Sequence, residues 1–321
     1  MSDPLIDVRV ARKQAVAEDI ASFELVSAEG KPLPAFDAGA HLDVHIPKAP
    51  VRQYSLCNPP GETHRYLIGV LRDPATRGGS IAMHDAVREG TVLQISEPKN
   101  HFKLDETAKT SWLLAGGIGI TPLLAMAERL SAIGADFELH YCTRSVARTA
   151  FKERIETSPY ASRVAFHHDD GPPEQKFDIL QKLATPQPDV HLYVCGPSGF
   201  MDAVIATARD RGWDEHRIHF EYFAGVNAHS ADDKSFEVEI ASTKKVYRIE
   251  AAQTIVEALA AQGVDIPTSC EQGVCGTCLT QVLAGEPDHK DLYLTPEEQA
   301  LNDQMLPCCS RAKSKRLVLD L

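Results

Sequence analysis

The stretch CEQGVCGTC places Cys270, Cys275 and Cys278 within nine residues, and nothing else in the chain restricts its fold so tightly. Three thiols this close call for a binding partner, because burying them unligated gains little. The N-terminal segment MSDPLIDVRVARK lacks the apolar core of a signal peptide, so a cytoplasmic location is expected. Thiols stay reduced in that compartment, which points clustered cysteines toward metal or redox work rather than disulfides. The spacing C-x4-C-x2-C is the one that holds a two-iron two-sulfur cluster, with a fourth thiolate supplied from far downstream. That fourth ligand has two candidates, Cys308 and Cys309, in MLPCCSRA. Structural zinc would favour paired C-x2-C units, and only one such pair is present. Gly273 and Gly276 permit turns that bring amide N–H groups toward sulfur, and Thr268, Ser269 and Thr277 suit a tight loop. The remaining cysteines, Cys57, Cys142 and Cys195, are scattered and suit buried small hydrophobes.

The flanking residues fit a plant-type ferredoxin module of β-grasp form. SFEVEIAST and KVYRIEA alternate as two strands joined by a polar turn. TIVEALAAQG reads as a helix capped by Thr254 and stopped by Gly263. TQVLAGE and RLVLDL supply further strands, and the polar stretch NAHSADDKS reads as a linker in front of the module.

Upstream, SWLLAGGIGITPLLAMAERL puts a short strand, Trp112 to Ala115, before a turn at Gly116, Gly117 and Gly119. Thr121 is expected at the N-cap of the following helix and Pro122 at its first position. A strand, a glycine turn and a helix start together make an anion site. The apolar runs FELHYCT, VAFHHDD, HLYVCG and RIHFEYF alternate with helical stretches, which predicts a parallel, doubly wound α/β sheet. Ligands of such sheets bind beyond the strands' carboxyl ends, where CTRS and CGPSG fall.

The first hundred residues read differently. IASFELVSA, HLDVHIP, RQYSLCN and RYLIGVLRD are short, alternating and separated by Pro and Gly, as in an antiparallel β-barrel. RQYSL sets Arg52, Tyr54 and Leu56 on one face of a strand and Ser55 on the other. Gly78, Gly79 and Ser80 open a helix and make a second phosphate cradle, with Arg77 adding charge. A net charge of −12 argues against nucleic acid or anionic lipid as a partner. No apolar run is long enough to span a membrane.

A barrel with R-x-Y-S-L and R-G-G-S, an α/β domain with G-G-I-G-I-T-P and C-G-P, then a plant-type cluster: in this order the motifs resemble the phthalate dioxygenase reductase family, and vanillate demethylase and carnitine monooxygenase reductase subunits are similar. The resemblance implies an FMN-binding barrel over 1–106, an NADH-binding α/β domain over 107–228 and a [2Fe-2S] ferredoxin domain over 229–321. It implies that Arg52, Tyr54, Ser55 and Leu56 line the flavin, that Gly78, Gly79 and Ser80 hold its phosphate, and that Phe223 stacks near the isoalloxazine. Gly117, Thr121, Cys195, Gly196 and Pro197 would position the nicotinamide nucleotide. Relatives show Cys, an apolar residue and then Ser-Arg, which puts the fourth ligand at Cys308 and Cys309 in the apolar slot; extended backbone there would turn the two side chains apart. Some relatives carry an acidic residue after the arginine of T-R, where this chain has Ser145.

The electron arithmetic agrees. NADH surrenders two electrons as hydride and an iron–sulfur cluster accepts one, so a flavin belongs between them. FMN is expected rather than FAD, because the barrel offers a terminal phosphate site and no segment for adenine. NADH is expected over NADPH, since no basic cluster follows CTRS. The acceptor implied is a separate Rieske-type oxygenase of the O-demethylase or ring-hydroxylating class, and the reductase itself a monomer. A haem monooxygenase as acceptor, or a non-catalytic redox sensor, are the alternatives.

Overall fold

The computed structural model describes residues 5–47, 49–73, 78–223, 233–268 and 270–321. Arg77, Ser269 and residues 227–232 of the expected linker lie outside them. The chain falls into two compact units, Met1–Phe223 and Ala224–Leu321.

The first unit begins with strands β1 (Ile6–Ala17), β2 (Ile20–Ser27), β3 (His41–His45), β4 (Arg52–Ser55) and β5 (Tyr66–Leu71), helix α1 (Gly79–Asp85) and strand β6 (Val92–Ile95). They pair antiparallel in the order β4-β3-β6-β1-β2-β5. A bridge between Leu56 and Ile68, backed by the Cys57 N–H donating to the Leu67 carbonyl at 2.9 Å, joins the two edges and closes the barrel. Closure removes the edges that would otherwise template aggregation. Alternation fills the interior: Val8 and Val10, Phe23 and Leu25, Leu42 and Val44, and Leu93 and Ile95 are all buried.

The chain then forms β7 (Thr110–Gly116), α2 (Ile120–Ala132), β8 (Asp136–Thr143), α3 (Lys152–Glu156), β9 (Val164–His168), α4 (Ile179–Lys182), β10 (Val190–Cys195), α5 (Ser198–Asp210) and β11 (Ile218–Glu221). These strands make a parallel sheet in the order β11-β10-β7-β8-β9. The order reverses between β7 and β10, which is where a doubly wound sheet binds its ligand. From Trp112 onward β7 is apolar because both faces are covered. Trp112 and Leu114 pack with Met201 and Val204 of α5, while Leu113 and Ala115 join a core that runs through α2 into the barrel.

The second unit contains β12 (Phe236–Ile240), β13 (Val246–Ile249), α6 (Ile255–Ala260), β14 (Thr280–Ala284), β15 (Pro287–Asp288), α7 (Pro296–Leu301), β16 (Gln304–Met305), β17 (Arg311–Ala312) and β18 (Arg316–Leu319). A mixed sheet, β13-β12-β18-β14-β16, has parallel pairing only between β12 and β18, and β15 and β17 form a separate ribbon. Thr254 caps α6 through a reciprocal box with Glu257, as expected, and Gly263 follows at φ 76°. A second box, Thr295 with Glu298, starts α7, a helix the sequence reading did not include.

Candidate functional site

On the barrel, β4 and α1 lie side by side. A Cβ on Gly79 would stand 2.6 Å from Arg52 Cγ, so the arginine stem crosses the start of the helix and a larger residue there would have to displace it. Gly78 precedes the helix at φ 101°. The Ser80 hydroxyl accepts from the Asp73 N–H at 3.3 Å. Two motifs separated in sequence, R-x-Y-S and G-G-S, therefore share one surface. The Tyr54 hydroxyl is buried with no hydrogen-bond partner among the described residues, and burial pushes its pKa up. Leu56 is fully buried and belongs to the barrel seam.

In the α/β sheet the two glycine-bearing turns touch backbone to backbone. A Cβ on Gly119 would overlap the Cys195 carbonyl, and one on Gly116 would stand 2.9 Å from Pro197 Cδ and 3.3 Å from Gly196 Cα. Gly117, at φ 52°, faces open space on its Cβ side. Thr121 corrects the expected cap. Gly117–Gly119 form a 3-10 turn that starts the helix early, so α2 begins at Ile120 with Gly119 as its N-cap. The buried Thr121 hydroxyl instead donates to the Ile118 carbonyl at 3.0 Å, and its methyl packs against Gly69 of β5.

One residue at this end of the sheet was missed. Glu221 ends β11 in register with Cys195, is hydrogen-bonded to Ser55 of β4, and has Oε1 3.9 Å from His41 Nδ1. Its Oε2 has no partner among the described residues. Burial pushes the carboxyl up to about 8, against a smaller lowering by Ser55. The group is therefore mostly neutral at pH 7. Burial, and then Glu221, raise the Cys195 thiol as well. The available signal was an acid inside the apolar run RIHFEYF. Phe223 lies two residues further on and is 37% exposed. The orphaned Tyr54 hydroxyl, on the strand that carries Arg52 over Gly79, suits a heteroaromatic ligand bearing a phosphate, and the orphaned Glu221 oxygen lies on the Ser55 side of that strand.

The thiols of the second unit also converge. Cys270 lies within hydrogen-bonding reach of Cys275 and Cys308, and Cys278 within reach of Cys308. Cys270 is pulled low by Cys275 and Cys308 and by the backbone amides of Val274 and Gln272, the latter donating at 3.3 Å. All four are at most 8% exposed. Residues 307–309 form a turn, so the expected extended backbone is not what separates the neighbouring cysteines. Cys309 turns toward Gly273, where any Cβ would overlap its sulfur. Four buried thiols drawn together by two separate segments fit a cluster that needs four thiolates.

Comparison with known proteins follows the same division. Residues 238–313 match the 2Fe-2S iron-sulfur cluster binding domain, and residues 113–205 match the oxidoreductase NAD-binding domain. The chain is 54% identical over 317 residues to a vanillate O-demethylase oxidoreductase of Pseudomonas sp. (strain HR199 / DSM 7063), covering 99% of this chain and 100% of that one. The solved phthalate dioxygenase reductase, described as a modular structure for electron transfer from pyridine nucleotides to [2Fe-2S], superposes with a TM-score of 0.79 at 42% identity, covering 99% of this chain and 98% of that one. The chain belongs to the phthalate dioxygenase reductase family. The protein is an oxidoreductase whose plan is a barrel, an NAD-binding sheet and then an iron–sulfur domain. An intact type IV self-sufficient cytochrome P450 monooxygenase also superposes, with a TM-score of 0.83 at 36% identity, covering 99% of this chain and 41% of that one. No helix among the described residues is long and apolar enough to cross a membrane.

Proposed function

We propose that the chain is an NADH-dependent reductase that passes electrons through FMN and a [2Fe-2S] cluster to a separate Rieske-type oxygenase of the O-demethylase or ring-hydroxylating class. The observation that carries this reading is that one chain holds the facing glycine turns of an NAD-binding sheet, for a two-electron donor, and a buried four-thiol set, for a one-electron acceptor. Bound flavin supplies the conversion between them, taking electrons in pairs and giving them singly. The protein's part is positional. Arg52, Gly78, Gly79 and Ser80 hold the FMN phosphate; Tyr54 and Ser55 line the ring, Leu56 backs them from the barrel seam, and Phe223 stands at the ring's edge. Gly117, Cys195, Gly196 and Pro197 seat the nicotinamide nucleotide, and Thr121 fixes the glycine turn through Ile118. Glu221, neutral and fixed by Ser55, keeps a proton at the junction of the barrel and the sheet. Cys270, Cys275, Cys278 and Cys308 are the cluster ligands.

The working units are 1–106, 107–228 and 229–321, in a cytoplasmic monomer. A haem monooxygenase is the second candidate acceptor, on the strength of the full-length match to part of a self-sufficient P450. Mass spectrometry of the released flavin and kcat/KM for NADH and NADPH test the reading. FMN with NADH preferred is the expected result; stoichiometric FAD, or preference for NADPH, contradicts it. Turnover with purified Rieske and haem acceptors separates the two partners.

A further inference from the structure

Residues 290–294, between β15 and α7, tie together the two segments that carry the thiols. The Lys290 N–H donates to the Ser310 hydroxyl at 3.2 Å, and that hydroxyl donates to Asp291 Oδ1 at 3.2 Å. Asp291 also accepts from the Leu294 N–H at 2.9 Å. On the other side, the Leu292 N–H donates to the Gly273 carbonyl at 3.0 Å. The strap is thus fastened both to the loop at 270–278 and to the turn at 307–310.

Between these fastenings Tyr293 rests against Gly276. A Cβ on Gly276 would overlap the tyrosine ring and stand 2.8 Å from its hydroxyl oxygen, so glycine at φ 73° is what lets the ring come down. Gly276 sits between Cys275 and Thr277, whose hydroxyl is 3.2 Å from the Cys275 sulfur. Tyr293 is 40% exposed, whereas Cys275 and Cys278 are 5% and 3% exposed. The ring is therefore a boundary between solvent and that stretch of the loop. Water near an iron–sulfur centre favours the reduced, more negative form, and the shell around a site controls that access.

We propose that Tyr293 is a lid that keeps water from the Cys275–Cys278 side of the cluster and so holds its reduction potential down and slows its loss. The inference rests on the reading of the four thiols as [2Fe-2S] ligands. Tyr293 is a positioning residue, acting through Gly276 rather than by ligation. The test uses the holoprotein and two readouts other than turnover: the cluster's potential from a dye-mediated titration followed by EPR, and the rate of bleaching in the presence of an iron chelator. Tyr293→Ala moves the potential in the positive direction and speeds bleaching several-fold. Tyr293→Phe keeps both near wild type, because the ring and not the hydroxyl does the covering. Leu292→Ala, an equally exposed neighbour on the same strap, leaves both unchanged. Wild-type behaviour of Tyr293→Ala overturns the proposal, as does a Phe variant altered as much as the Ala variant, or a Leu292 variant that matches Tyr293→Ala. A wild-type protein that assembles no [2Fe-2S] spectrum overturns the ligand reading itself, and the lid with it.

Discussion

Cys308 and Cys309 are neighbours with different surroundings. Cys308 reaches Cys270 and Cys278, while the Cys309 sulfur occupies space that Gly273 leaves open. Cys308→Ala should abolish the cluster's visible absorbance and cytochrome c reduction while NADH–ferricyanide activity persists, since that acceptor draws electrons from the flavin. Cys309→Ala should keep most of the absorbance; the opposite pattern in ultraviolet–visible spectra would reassign the ligand. The cysteine spacing was legible in the sequence because three of the four ligands lie in one loop. Glu221 was not, because its meaning comes from Ser55 and Cys195, which only the folded barrel and sheet bring to it. Its raised pKa has a signed consequence. The folded state keeps the proton up to about pH 8, whereas the unfolded chain releases it near the ordinary carboxyl value. Glu221 thus favours folding most at low pH, and that contribution is lost as pH rises through the folded pKa. Glu221→Gln should flatten the fall in melting temperature between pH 5 and pH 9, measured by calorimetry on matched buffers. An unchanged slope would mean that the carboxyl is ionised in the native protein.

At the scale of elements, the glycine turns matter most. Gly119 lies against the backbone of Cys195 and Gly196, so Gly119→Ala must push the β7–α2 turn away from the C-G-P turn. The expected result is a rise in KM for NADH of roughly tenfold or more, about 1.4 kcal/mol of binding, with flavin content preserved. Steady-state kinetics beside flavin quantification check this; lost flavin with an unchanged KM would place the turn's role elsewhere. The strand–turn–helix order here was legible, but the cap was not. Thr121 has the right residue type for an N-cap and Pro122 the right neighbour, yet the 3-10 turn at Gly117–Gly119 starts the helix first. β1 and β6 escaped notice because charged and polar residues interrupt their apolar positions, and β15, β16 and β17 are only two residues each. Such short strands are fixed by pairing with partners distant in sequence, not by their own pattern.

Across the whole molecule, the order of motifs gave the architecture, because each motif belongs to a different kind of layer: closed antiparallel barrel, parallel sheet, mixed sheet with a thiol loop. The fusion of the first two into one compact unit was not visible in the sequence, since it depends on a core shared through α2. Charge is distributed unevenly as well. Residues 229–321 carry 9 Lys and Arg against 15 Asp and Glu, half of the chain's net −12. An acidic electron-delivery unit steers a basic acceptor surface, and added salt screens that attraction. Turnover with the oxygenase should therefore slow as ionic strength rises, while NADH–ferricyanide activity changes little; equal responses would leave the acidic surface with a solubility role alone. The most direct measurement of the central claim is an anaerobic titration of the holoprotein with NADH, followed by low-temperature EPR. Electron transfer from NADH to the cluster predicts the signal of a reduced [2Fe-2S] centre growing with added NADH, and its absence in Cys308→Ala. Oxidation of NADH with the cluster remaining EPR-silent would contradict the account.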